Sequence, residues 1–280
     1  MHDNLLAVGF ALIAALVIAW GTVVRHRIAA HQPDNGDSPI VAAAKRPLWW
    51  FALLTALSGY GFQVLALGFG TLLIVQPVLA LTLMFTFPMT AFYEKRRLTM
   101  DEIIGGALLT VSVATLVILG KPVPFHGKVT FHDWLPAIIV TAIVMGIIYA
   151  ASIRMSTPYR GLSLGVITGI VYGFVAVLSK AAVNVFNHGG LLILLTAWEF
   201  YALIACAVLG TIIQQYAFNV GALRLSLPAM TTLEPVVAFI LSYTVLGEKF
   251  QVHGWNWVIM GIALVTMILS TFALSARGNT

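Results

Sequence analysis

Apolar runs of about 20 residues follow one another through nearly the whole chain, separated only by short polar connections. Crossing a hydrocarbon core of about 30 Å takes roughly 20 predominantly apolar residues in a helix. In lipid every backbone amide must find its partner inside the protein, so each run has to be a helix. The runs fall near 5–24, 48–68, 71–92, 102–120, 134–153, 160–181, 193–215, 226–246 and 255–275, which predicts an all-α membrane protein of nine transmembrane helices. Composition agrees, with 60% of the 280 residues hydrophobic and only 9% charged. No stretch is left over for a soluble domain, and the first run is expected to be a retained helix rather than a signal peptide.

The net charge of +5 does not mark a nucleic-acid binder, because the basic residues gather in the connections. Arg25, Arg27, Lys45, Arg46, Lys95, Arg96, Arg97, Arg154, Arg160, Arg224 and Arg277 fall on one side. Lys121, Lys128, Lys180 and Lys249 fall on the other. The positive-inside rule then places the chain in a cytoplasmic membrane with its N-terminus outside and its C-terminus cytoplasmic. Lys180, near the predicted outer end of the sixth run, is expected to snorkel to water. The single cysteine, Cys206, excludes an intramolecular disulfide and a Cys-based zinc site.

An internal repeat at an offset of about 150 residues organises these helices. Trp20-Gly21 matches Tyr172-Gly173, and Gln63-x-x-Ala66-x-x-x-Gly70 matches Gln214-x-x-Ala217-x-x-x-Gly221. Pro77 matches Pro228, Glu94-Lys95 matches Glu248-Lys249, and Gly106 matches Gly261. Five spans separate the two starts, so the second copy enters the membrane from the opposite side. The expected organisation is a 4+1+4 inverted-topology repeat: a first four-helix repeat over 1–125, a connecting helix over 126–157 and a second four-helix repeat over 158–280. Two related bundles of this kind can rock about a central site, which is the geometry of alternating access.

The stretch Leu233-Glu234-Pro235-Val236-Val237-Ala238-Phe239, running on to Leu246-Gly247-Glu248-Lys249, resembles the drug/metabolite transporter superfamily. Pro47-Leu48-Trp49-Trp50, Gln76-Pro77 and Tyr93-Glu94-Lys95-Arg96-Arg97 resemble its nine-span branch, related to the NIPA-type magnesium transporters. The resemblance implies alternating-access transport of small metabolites, drugs or, in one branch, divalent cations. It also implies that the helices of Trp20 and Tyr172 border the central cavity.

Glu234 is the leading site candidate. It lies about 3 Å of rise from the centre of its run, where a charged residue costs about 2.5 to 3.5 kcal/mol on insertion scales and usually faces a functional cavity. A carboxyl there can bind a ligand or carry a proton. Pro235 removes a backbone donor, which is expected to break the helix and free the carbonyl of Thr231. Gln63, Gln214, Tyr216 and Asn219, with Trp20 and Tyr172, are candidates to line the path. Such amides serve equally well as hydrogen bonds between helices. Glu199, near the outer end of its span, is a candidate gate or a snorkelling carboxylate. No carboxylate stands at the matching depth in the first copy, where residues 80–83 read Ala-Leu-Thr-Leu.

Gly165-x-x-x-Gly169-x-x-x-Gly173 puts three glycines on one helix face. That face could meet a helix of this chain or of a second copy in a homodimer. His2, His126, His132, His188 and His253 fall on the predicted outer side, where hydrated loop histidines explain them more simply than a metal or pH-sensing site. No Walker-type loop occurs, and Gly161-Leu162-Ser163-Leu164-Gly165 lacks the strand and partners of a nucleophile elbow. The chain therefore reads as no enzyme, with no cofactor. Its expected partners are the bilayer, a small solute, and protons or magnesium. A magnesium pathway, a lipid-linked carrier flippase and a non-transporting scaffold are the alternatives.

Overall fold

The computed structural model describes residues 2–30, 47–123, 129–220 and 223–277. Its elements are α1 (His2–Ala30), α2 (Pro47–Phe69), α3 (Leu72–Ala80), α4 (Thr82–Glu94), α5 (Met100–Gly120), β1 (Pro122–Val123), α6 (Phe131–Ser152), α7 (Thr157–Thr196), α8 (Trp198–Val220), α9 (Leu223–Thr244), β2 (Lys249–Phe250) and α10 (Asn256–Arg277). Eight described helical segments are long and apolar enough to cross a membrane, with α3 and α4 together forming one of them. The chain is an all-α, multi-pass membrane protein. The run predicted over 48–68 forms α2, whose described apolar stretch, Leu57–Phe69, is shorter than a span.

Two elements depart from the expectations. The connection after α5 carries a two-residue strand, with Pro122 opposite Phe250 and Val123 opposite Lys249 in an antiparallel pair. Two residues per strand are too few for sequence alternation to reveal. The sixth helix, predicted to end near residue 181, runs on to Gly189; at Gly190 (φ 71°) the backbone leaves the helical region, and a short second helical segment follows to Thr196. The 33 residues before Gly190 span about 50 Å, well beyond the hydrocarbon core.

Helix α7 is the centre of the molecule. It packs most extensively on α8 and α9 and also reaches α2. Its glycines make this possible: a Cβ on Gly165 would lie 2.5 Å from the Ser226 carbonyl oxygen, on Gly169 2.7 Å from Leu233 Cβ, and on Gly173 2.6 Å from Val237 Cβ. The glycine face thus meets α9 of the same chain, and a homodimer has no free surface at Gly165, Gly169 and Gly173. On the other side α1 packs on α2, α3 and α4, while α5 packs on α10. Helix α6 packs chiefly on α7, and most of its surface is exposed. Its buried Trp134 meets Trp198 edge-on at 5.4 Å.

Local signals set the helix ends. At the start of α5 the Thr99 hydroxyl accepts from Glu102 N (3.3 Å) and Glu102 Oε2 accepts from Thr99 N (2.8 Å), a capping box. Arg96 donates from both terminal nitrogens to Glu102, at 3.0 and 2.9 Å, and from Nε to Glu94 at 2.8 Å. These carboxylates hold the Arg96 guanidinium above its ordinary value. Replacing Glu102 with Ala removes the carboxylate half of the box and leaves Arg96 without its bidentate partner; a loss of about 1 kcal/mol is expected in reversible unfolding. No change in that measurement would remove the box as a stabilising element.

Candidate functional site

Glu234 lies on α9, half-buried, one turn beyond Met230 and Thr231. Its carboxylate forms no hydrogen bond or ion pair among the described residues. Across the helix contact stands Tyr172 of α7, close enough for an electrostatic interaction with Glu234. The Tyr172 hydroxyl donates to Gln214 Oε1 of α8 at 2.9 Å, and Gln214 Nε2 donates to Met230 Sδ at 3.2 Å. The ring of Tyr172 fits only because residue 210 is glycine, where a Cβ would come within 2.8 Å of Cε1. Thr231 joins from α9, its hydroxyl bonded to Ser275 of α10 at 3.0 Å and back to Leu227 O at 3.0 Å. Hydrogen bonds thus link α7, α8, α9 and α10 around this part of α9, while the Glu234 carboxylate itself has no partner among the described residues.

Helix α9 runs unbroken through both Pro228 and Pro235. The break expected at Pro235 is therefore absent. A proline removes one donor without opening a helix when neighbouring helices hold it in place. α7 does so here, through the three glycine contacts.

Of the candidates, Tyr172 bonds Gln214 and interacts with Glu234, and Thr231 stands one turn before Glu234 on α9. The other described candidates do not join them. Trp20 is exposed on α1, and Gln63, half-buried on α2, forms no hydrogen bond to this group. Tyr216 points elsewhere: its hydroxyl accepts from Arg160 Nη2 at 3.1 Å, with the guanidinium 5.9 Å from the ring centroid. The side chain of Asn219 lies outside the described residues. Glu199 occupies the first turn of α8, where a carboxylate complements the positive end of the helix. Among the described residues no three His, Cys, Asp or Glu side chains form a group able to hold a metal ion. His126 and the side chain of His2 lie outside those residues.

A second polar group has no counterpart in the expectations. Lys180 is only 5% exposed and does not snorkel: its ammonium donates to Leu67 O at 2.6 Å and Gly70 O at 2.7 Å. Reading the sixth span as ending at 181 put this residue at a water interface, and the extra length of α7 moves it inside. Glu248, 2% exposed, accepts from Leu72 N at 3.1 Å, Leu73 N at 3.2 Å and the Ser242 hydroxyl at 2.5 Å. The turn that aims it there depends on Gly247, whose φ of 66° favours glycine. The sequence signals for it were the match of Glu248 to Glu94 in the internal repeat and its place in the Leu246-Gly247-Glu248-Lys249 stretch.

No family model matches this chain, and no solved structure matches it significantly. It is 52% identical over 278 residues to an uncharacterized protein of Corynebacterium glutamicum, an alignment covering 98% of this chain and 96% of the other. Nearly end-to-end identity at that level carries the whole set of membrane helices with it, and the chain belongs to the family of that corynebacterial protein.

Proposed function

We propose that this protein is a secondary transporter that moves a small organic solute across the cytoplasmic membrane by alternating access, with proton coupling through Glu234. The observation that carries the reading is the Glu234 carboxyl itself, on α9 within electrostatic reach of Tyr172 of α7 and without a partner among the described residues. An ionisable group at membrane depth is costly and is usually found where it serves a pathway. Tyr172, Gln214 and Thr231 supply hydroxyl and amide groups that can orient a bound solute.

Packing supports the 4+1+4 inverted repeat of nine spans. Helix α1 rests on α2 and on the α3–α4 pair; α7 rests on α8 and on α9; α5 and α10, the last helix of each copy, rest on each other. Helix α6 joins the copies and packs chiefly on α7, as a connecting helix would. The resemblance of Leu233-Glu234-Pro235 and its flanks to the drug/metabolite transporters points the same way. The distribution of Lys and Arg supports an N-terminus outside and a cytoplasmic C-terminus.

The test is solute-driven proton movement in liposomes reconstituted with the full chain and an internal pH dye, across a panel of small metabolites and cationic drugs. At least one solute is expected to collapse an imposed proton gradient. A panel without any such solute would overturn the reading. A parallel magnesium-sensitive dye distinguishes the divalent-cation alternative, which requires several oxygen ligands around the ion.

A further inference from the structure

Lys180 and Glu248 reach across more than 100 residues to the same short connection, Gly70-Thr71 between α2 and α3. The cation meets the carbonyl end of α2 and the anion meets the amide end of α3, so each sits at the helix terminus whose partial charge it complements. Both side chains come from residues 158–280, and both sets of backbone partners come from residues 1–125. The two charges also interact with each other electrostatically.

Permanent burial of two charges is a weak way to stabilise a fold, since desolvation offsets most of the attraction. The cluster is also not closed. Thr71 Oγ1, next to these amides in the chain, and Gln76 Nε2, one turn further along α3, are buried with no hydrogen-bond partner among the described residues. At the opposite end the repeat-related carboxylate behaves differently: Glu94, 48% exposed at its side chain, bonds to Arg96 two residues away. By the offset that pairs Pro77 with Pro228, the amides matching Leu72 and Leu73 are those of Leu223 and Arg224, at the start of α9. One end of the molecule is thus tied between the two copies by buried charges, while the related carboxylate at the other end is bonded within its own copy.

We propose that Lys180 and Glu248 form a clasp that closes the molecule at the α2–α3 connection, and that Glu94 closes the opposite end on the first turn of α9 when this clasp opens. Lys180 and Glu248 are positioning residues: they select which end is closed and touch no solute. The role rests on the alternating-access reading, and its test needs no solute.

The full chain with Cys206→Ala is placed in nanodiscs and labelled with a charged, membrane-impermeant methanethiosulfonate. One reporter is Val177→Cys, fully buried one turn from Lys180; the other is Leu225→Cys, in the first turn of α9. In the Lys180→Met and Glu248→Gln backgrounds, labelling at position 177 is expected to rise at least about tenfold while labelling at position 225 falls at least about threefold. Ser242→Ala, which removes one donor to Glu248 and leaves both charges, is expected to shift both rates in the same directions by less, and it carries the test if the charge variants fail to fold. Unchanged rates, or rates rising together at both ends, would make the charges simple helix caps and overturn the clasp. A protein that shifts reciprocally but moves no solute keeps the clasp and loses the transport reading. One that moves solute without the reciprocal shift loses the clasp alone.

Discussion

Glu234→Gln is expected to abolish proton-driven solute accumulation, with the initial rate falling at least about tenfold, or about 1.4 kcal/mol or more. Glutamine keeps the volume and the hydrogen-bonding ends of the side chain but cannot take up or release a proton. The fold should not suffer, because among the described residues the carboxylate has no partner to leave orphaned. Uptake in liposomes with and without a proton gradient, alongside thermal unfolding, checks both halves. Retained gradient dependence would remove Glu234 from the coupling step. Glu199→Gln is the informative control: its carboxylate stands at the first turn of α8, and a change of no more than about twofold is expected.

The second large effect is on stability. Gly165→Ala places a methyl group 2.5 Å from the Ser226 carbonyl oxygen and 2.8 Å from its Cα, both backbone atoms that cannot rotate away. Separating α7 from α9 to admit it should cost about 1 to 3 kcal/mol, and Gly165→Leu should prevent the two helices from docking. Since α7 carries Tyr172 and α9 carries Glu234, the same displacement pulls the site apart, and transport should fall with stability. Gly146→Ala is the matched control. No atom lies within 4 Å of the added carbon there, and the higher helix propensity of alanine should make the change neutral or stabilising by up to about 1 kcal/mol. Unfolding midpoints in a single detergent compare the set, and equal midpoints for Gly165→Ala and Gly146→Ala would contradict the close approach.

The two polar groups were unequally legible. Glu234 could be singled out from one residue and its distance from the middle of an apolar run, because both ends of that run are marked in the sequence. Lys180 could not be placed that way. Its depth depends on where α7 ends, and that helix passes residue 181 without a proline or a charge to stop it. Tyr216 and Gln214 illustrate the same limit at closer range: two residues apart on α8, one bonds Arg160 and the other bonds Tyr172.

The sequence by itself determined the class of molecule and the approximate helix positions, and it singled out Glu234 as a carboxylate near the middle of an apolar run. Each follows from the cost of exposing backbone or charge to hydrocarbon, which is paid locally, residue by residue. Which faces meet was decided only by the tertiary structure. A soluble helix advertises its inner face by an apolar stripe, but these helices are apolar all round because lipid is as oily as the protein interior, so the pattern names no side. The glycine face on α9, the link from Gln214 through Tyr172 toward Glu234 and the burial of Lys180 and Glu248 at the α2–α3 connection rest on close packing and helix ends. Those exist only once the helices are assembled.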